Sequence, residues 1–254
     1  WFAFYLVVDF NHAQALSFRP SQPPSMEHWL DTDRMGKDVL TSIVIGTPQT
    51  IQIGIVAGGI GILLGVILGF TAGFFGGIVD YTIKFIVDVF QSIPPLVVLI
   101  IFAISIPGDM TILQLSLIVG VTSWLGPTRV LRSQVLVMKE LNYVSLSKFS
   151  GLPSWKIIFM EILPNLLPYV MANFVMAVAG AILASIGIEA LGLGAFSSNS
   201  LGMTIYWNIW YSSMLQGWWW WSPPILIIIL VFVSLYLISQ GLDEWANPRL
   251  KTKF

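Results

Sequence analysis

The sequence predicts an all-α fold, a polytopic membrane helical bundle, and three observations predict it. Of its 254 residues, 56% are hydrophobic and 10% are charged, where an average soluble domain carries about 25% Asp, Glu, Lys and Arg. The apolar residues are gathered into five runs, at 51–75, 85–106, 112–137, 166–193 and 225–242. Each is close to the roughly 20 residues that a helix needs to cross hydrocarbon, where backbone groups find no water partner. The same composition excludes other classes. The 12 Lys+Arg and 13 Asp+Glu residues leave a net charge of -1, so no polybasic nucleic-acid surface is indicated. Without cysteine there is no disulfide framework, thiol nucleophile or Cys-based metal site. His12 and His28 both stand in the polar stretch near the N-terminus, which leaves no His-based metal or haem site within the membrane.

Taken in order, the chain opens on an apolar fragment, 1–8, too short to span a bilayer; it reads as the tail of a sixth, N-terminal helix whose beginning is absent. Pro20, Pro23, Pro24 and a share of the charge mark 9–46 as an extended, solvated loop. Residues 1–46 are therefore the end of the first helix and an external loop, and 47–254 the transmembrane domain. The run at 51–75 carries Gly61, Gly65, Gly69, Gly73 and Gly77 at a spacing of four, with Gly54 and Gly58 in an earlier register. Residues four apart share a helix face, and a face without side chains lets a second helix approach backbone to backbone. The run at 166–193 repeats the device with Ala177, Ala181 and Ser185, and with Gly180 and Ala184. Gln91, Ser92, Pro94 and Pro95 interrupt the run at 85–106, a break tolerated where backbone lines a cavity or is covered by protein. Four tryptophans, Trp218 to Trp221, precede the last run. Trp is enriched at bilayer interfaces, so an external aromatic belt is the default expectation, with a stacking platform for sugars or peptides as the alternative.

Charge sets the orientation. With 9–46 outside, Lys84, Arg129, Arg132, Lys139, Lys148, Lys156, Arg249, Lys251 and Lys253 lie inside and only Arg19, Arg34 and Lys37 outside, a bias of nine to three. Both termini of a six-helix chain are then cytoplasmic. The cytoplasmic segment 139–164 breaks at Gly151, Leu152 and Pro153, with a short helix at 141–150 and another at 154–162 that places Trp155, Ile158 and Phe159 on one face. Two short helices at an angle form a docking shape. Asp88 and Glu189 are the acids nearest to membrane-embedded sequence. One reading has them, with Gln91, lining a solute or proton path. The other makes Asp88 an i,i+4 ion pair with Lys84, and Glu189 a cap where its helix breaks at Gly187, Gly192 and Gly194.

No catalytic constellation accompanies these features. The sequence holds no phosphate-binding G-x-x-x-x-G-K-[ST] loop, no H-E-x-x-H and no membrane His to pair with a serine. The chain is therefore not an enzyme, and any ATP that drives it must be hydrolysed by another polypeptide.

The stretch from Asn142 through Tyr143, Ser145 and Lys148 to Gly151, followed by Ile162-Leu163-Pro164-Asn165, resembles the EAA loop of ABC importer permeases. Gly151 and Ile162 to Asn165 match that pattern, while Ser145, Leu146 and Ser147 stand at the Glu-Ala-Ala positions. His28 to Val39 is similar to the H-W-L-G-T-D-x-x-G-R-D-V segment of dipeptide, oligopeptide and nickel permeases. Ala72 to Gly77 with Asp80, Leu191 to Gly194, and Asn247 to Leu250 match the same class in the same order. The chain thus resembles the C-type permease of binding-protein-dependent ABC importers. The resemblance implies a type I ABC importer permease fold, with five full transmembrane helices plus the tail of a sixth. It also implies a homologous second permease subunit, two cytoplasmic ABC ATPases and an external solute-binding protein, in the inner membrane of a bacterium or archaeon. No cofactor is bound by such a chain, since ATP and Mg belong to the ATPases. Coupling would fall to Tyr143, Ser145, Lys148, Gly151, Leu152, Pro153 and Trp155. Peptides are the expected cargo and oligosaccharides the alternative, while an ion- or proton-coupled secondary transporter is the rival class; the sequence shows no inverted repeat or dense intramembrane charge set in its favour.

Overall fold

The computed structural model describes residues 9–217 and 219–246, without the side chains at 219, 245 and 246. The 1–8 fragment, Trp218 and the 247–250 motif lie outside the described residues. One long helix organises the bundle. α1 (Val39–Phe75, 37 residues) begins where the Asp38 carboxylate accepts from the Thr41 amide at 2.7 Å, an N-cap that satisfies one of the orphan donors of the first turn. The other Asp38 oxygen contacts His28 Nδ1 at 3.0 Å, and both side chains are buried. At 1.5 Å per residue α1 is about 55 Å long, well beyond a hydrocarbon core of about 30 Å. Its first turns are sheathed by protein: Asn199 donates to Gln49 Oε1 and the Leu201 amide to Thr50 Oγ1. The helix accordingly starts at 39 and not near 46, because the Asp38 cap and this sheath stabilise turns that the sequence reading assigned to the Pro-rich loop. Asp38→Ala should cost about 2 kcal/mol, read as a lower thermal midpoint of the solubilised protein, while Asp38→Asn retains most of the cap; equal midpoints for both would remove the cap from this account.

Gly76, at φ +66, ends α1. Two helices, α2 (Gly77–Ser92) and α3 (Pro95–Ile104), stand in place of the single run expected at 85–106, with axes bent by 78°. Ile93 is extended, as a residue before proline prefers, and Pro95 opens α3 where its missing N–H costs nothing. The run at 112–137 is also split, into α4 (Ile112–Ser123), begun by a Thr111–Gln114 capping box, and α5 (Leu125–Met138). Pro127 cannot donate to the Ser123 carbonyl four residues before it, which breaks the ladder at this point. α6 (Asn142–Phe149) follows. The second short helix expected at 154–162 is no separate element: it is the start of α7 (Ser154–Ala190), joined through a π-helical turn at Ile157–Ile162. α8 (Leu201–Trp210) and α9 (Ser222–Ala246) complete the bundle. Among the described residues three helices are long and apolar enough to cross a membrane, and a fourth if the α2–α3 pair counts as one; the fifth expected span is the split α4–α5 run.

Glycine decides how these helices meet. A Cβ on Gly61 would lie 2.6 Å from the Ser123 carbonyl, on Gly65 2.5 Å from Pro127, on Gly69 2.8 Å from the Thr128 carbonyl and on Gly73 2.8 Å from Val135. The α1 stripe is thus in close contact with the end of α4 and with α5. Gly54 and Gly58 meet Val178 and Ile182 of α7 in the same way. Gly77 departs from the stripe: it is exposed, has φ +54 and opens α2, with nothing within 4 Å of its Cβ position. The chain has already turned away at Gly76, so the spacing of four no longer means a shared face. Packing at the α6 end is apolar, with Phe70, Phe74, Leu131, Val135, Val144, Ile157 and Ile162 in one buried cluster. At the opposite end, Trp220 is 2% exposed against Val39 and Ile43 and donates to Ser213 Oγ at 3.2 Å. Trp220 therefore belongs to the core and not to an interfacial belt, because the loops enclosing α1 provide both an apolar wall and a hydroxyl partner for its indole.

Candidate functional site

Two regions bring together the residue types that a membrane component can use. The first is the turn between α6 and α7. Ser150 caps α6, Gly151 takes φ +75, its amide donates to the Lys148 carbonyl at 3.0 Å and the Leu152 amide to the Ser147 carbonyl at 3.2 Å. These are the paired bonds of a Schellman motif, which glycine at the left-handed position makes strain-free. Pro153 then fixes the entry to α7. Val144 is fully buried in the cluster at this end, and Ser147 Oγ donates to Glu161 Oε1 at 2.5 Å, so α6 is fastened to α7 at two points. Tyr143 is half-buried; desolvation first and the neighbouring Glu161 carboxylate second push its phenol above the usual range. Lys148 reaches back over the Phe74 ring, at 5.2 Å from its centroid. Ser145 is partly exposed. The turn presents an apolar set outward beside Lys148 and Ser150: Leu146, Phe149, Leu152 and Trp155 are exposed, Phe149 at 89%. Ile158 does not share that surface with Trp155 and Phe159, since it is buried.

The second region is a hollow of about 270 Å³ between α3, α4, α5 and α7, lined by Pro95, Thr122, Ser123, Gly126, Gly180 and Ala184 among others. Below it, two acid–base rungs tie α2 to α5. Arg132 grips Asp80 with two nitrogens, Nη2 at 2.6 Å from Oδ2, and these side chains are 22% and 20% exposed. Arg129 Nη2 meets Asp88 Oδ1 at 2.5 Å, with 56% and 44% exposure. Asp88 therefore pairs across helices and not with Lys84 on its own. Gln91 is partly exposed one turn further along α2. A double-mutant cycle should give a coupling of about 1 to 3 kcal/mol for the shielded, bidentate Asp80–Arg132 pair and under about 1 kcal/mol for Asp88–Arg129; the reverse order would show that exposure does not set their strength.

Glu189 lines neither region. It is fully buried at the other end of α7, where its Oε1 accepts from Ser200 Oγ, its carboxyl lies against Gly202 and its methylenes against Gly194. This corrects the expectation of a path-lining acid: the Gly192 turn folds residues 192–203 back over the helix end. The same end is tied together by Lys37 Nζ on Asn199 Oδ1 at 2.9 Å and by Arg34 on Gln216. Burial pushes the Asp33 carboxyl up and the Lys37 ammonium down there.

Residue-by-residue reading missed Arg129 and Arg132 as partners. Two arginines one turn apart on α5 and two acids on α2, all set in apolar sequence, are the signal that could have found them. Comparison with known proteins places the fold. Residues 61–252 match the family described as binding-protein-dependent transport system inner membrane component. The dipeptide transport system permease protein DppC of Bacillus subtilis is 32% identical over 231 residues, 90% of this chain and 71% of that protein. The oligopeptide permease protein OppC of the same organism is 29% identical over 68% of this chain and 56% of its own length. The probable D,D-dipeptide permease protein DdpC of Escherichia coli is 30% identical over 68% of this chain and 57% of its own. This chain thus spans little more than half the length of the last two relatives. With its apolar helices and a family match over most of its length, the chain is a multi-pass membrane protein belonging to the binding-protein-dependent transport system inner membrane components.

Proposed function

We propose that the chain is a non-catalytic permease subunit of an ATP-driven ABC importer for peptides, forming half of the translocation path. The peptide class is supported by the names of its relatives, a dipeptide, an oligopeptide and a probable D,D-dipeptide permease protein. In this reading the α6 end faces the cytoplasm, in line with the bias of basic residues, and the 9–38 segment faces outward, toward a solute-binding protein. A homologous second permease completes the path, and two cytoplasmic ATPases bind the nucleotide.

The observation that carries the reading is the α6–α7 turn. An apolar surface made of Leu146, Phe149, Leu152 and Trp155 is exposed where a membrane helix meets water, which marks a protein partner. It is mounted on a stiff mechanical element: a Schellman turn, a buried Val144 anchor and a helix that runs 37 residues from Ser154 to Ala190. Movement of an ATPase docked at Trp155 is transmitted along α7 to the hollow beside Gly180. Nucleotide then biases a bistable helix packing and does not build a new one.

Reconstitution of the permease pair with its ATPases and binding protein in liposomes tests this. Vanadate-sensitive, ATP-dependent uptake of a labelled peptide is expected. Uptake driven by a proton gradient in the absence of the ATPases would overturn the proposal, and ATP-driven uptake of oligosaccharide but not peptide would move the cargo class.

A further inference from the structure

We infer that Asp88 and Arg129 form a cargo-facing charge pair that exchanges partners with the two ends of a passing zwitterionic peptide; this rests on the peptide reading above. α5 has two contrasting faces. Leu125 is buried, and Thr128, Leu131 and Val135 are buried against the glycine stripe of α1. On the opposite face Gly126, Arg129 and Ser133 are exposed at helical spacing, and Gly126 belongs to the hollow. Arg129 is level with the Gly65 and Gly69 contacts at Pro127 and Thr128, more than a turn inside the end of α1 at Phe75. Arg129 is one helical turn from Gly126, so its exposed guanidinium borders the hollow, where a solute can meet it.

The two rungs differ in a way that assigns them different work. Asp80–Arg132 is bidentate and mostly shielded, as suits a fixed strut between α2 and α5. Asp88–Arg129 is single-pronged and about half exposed on both sides, so its bond is weak and open to competition. A free peptide brings an ammonium and a carboxylate into a region where either alone is costly to desolvate. Asp88 can receive the ammonium and Arg129 the carboxylate, so every charge has a partner with the path empty and with cargo in it. The exchange neutralises the cargo without burying a net charge.

The test uses the full reconstituted complex and one peptide in three forms: free, N-acetylated and C-amidated. The free peptide is expected to be taken up at least about tenfold better than either blocked form, the discrimination available from one charged hydrogen bond. In Asp88→Asn the preference over the N-acetylated form should fall to that of the binding protein alone while the excess preference over the amidated form persists; Arg129→Gln should show the converse. The binding protein is the same throughout, so its own preference cancels between variants. Unchanged ratios in both variants overturn the inference. A second measurement holds even if a variant fails to assemble: discrimination in wild-type uptake must exceed the binding protein's own discrimination in affinity, and equality of the two also overturns it. Absence of ATP-driven uptake of any peptide form by the wild-type complex defeats instead the peptide reading on which the inference rests.

Discussion

Gly69→Val is expected to destabilise the protein more than any surface change, by about 3 kcal/mol or more, because it inserts atoms into a backbone contact that has nowhere to relax. A Cβ at this position lies 2.8 Å from the Thr128 carbonyl, 3.0 Å from the Arg132 amide and 3.1 Å from Leu131 Cβ. Two of these are backbone atoms of α5, so the clash is relieved only by moving that helix away from α1. Such a move loosens Phe70, Phe74, Leu131 and Val135 together, since they share one buried cluster. It also displaces Arg132 from Asp80. Gly59→Ala is the matched control: it stands on the same helix with nothing within 4 Å of its Cβ position, and should be neutral or slightly stabilising through helix propensity. Thermal midpoints of the two solubilised variants decide the matter, and a Gly69→Val midpoint equal to that of the control would show that the seam does not hold the bundle.

Gly151→Pro should have the second large effect, on coupling instead of stability. Proline cannot adopt the φ of +75 found here, and it lacks the N–H that Gly151 donates to the Lys148 carbonyl. Both bonds of the turn then fail, and the apolar surface around Phe149 and Trp155 loses its fixed angle to α7. Nothing lies within 4 Å of the Cβ position, and the residue is exposed, so insertion and the thermal midpoint should stay near those of the parent. ATP-driven uptake should drop to under about a tenth, with hydrolysis by the ATPases continuing unproductively; Gly151→Ala, which costs only the roughly 1 to 2 kcal/mol of a left-handed alanine, should retain part of it. Normal coupled uptake in the proline variant would remove this turn from its proposed role.

The candidate sites were legible to different degrees. The α6–α7 turn could be read because its signal is local: Gly151, Leu152 and Pro153 dictate a break by their own backbone preferences. The glycine stripe was legible for the same reason, up to Gly73; Gly77 fell outside because Gly76 turns the chain before the period can continue. Asp88 is where local reading ended. Its neighbour at i−4, Lys84, is the obvious partner in a helix considered alone, yet the ion pair forms with Arg129, 41 residues away, since α2 and α5 lie side by side. Glu189 had two readings, and its contacts follow the one that made it a cap at the break of its helix. An acid in an apolar helix suggests a path, but residues 192–203 return over it and supply Ser200 as a donor.

By itself the sequence determined the class, a helical membrane bundle, because five apolar runs and scarce charge leave the backbone no other way to satisfy its hydrogen bonds in hydrocarbon. It also marked the breaks at Pro94–Pro95 and at Gly151–Pro153, since proline and glycine act on their own and adjacent residues, but not the split before Pro127 or the start of α1 at Val39. Only the tertiary structure decided which polar groups meet, which tryptophan is buried and which acid is sealed away. Those outcomes depend on contacts between segments distant in the chain, Asp88 with Arg129, Ser213 with Trp220 and its α1 neighbours, Glu189 with Gly202, and no periodicity within one segment encodes the position of another.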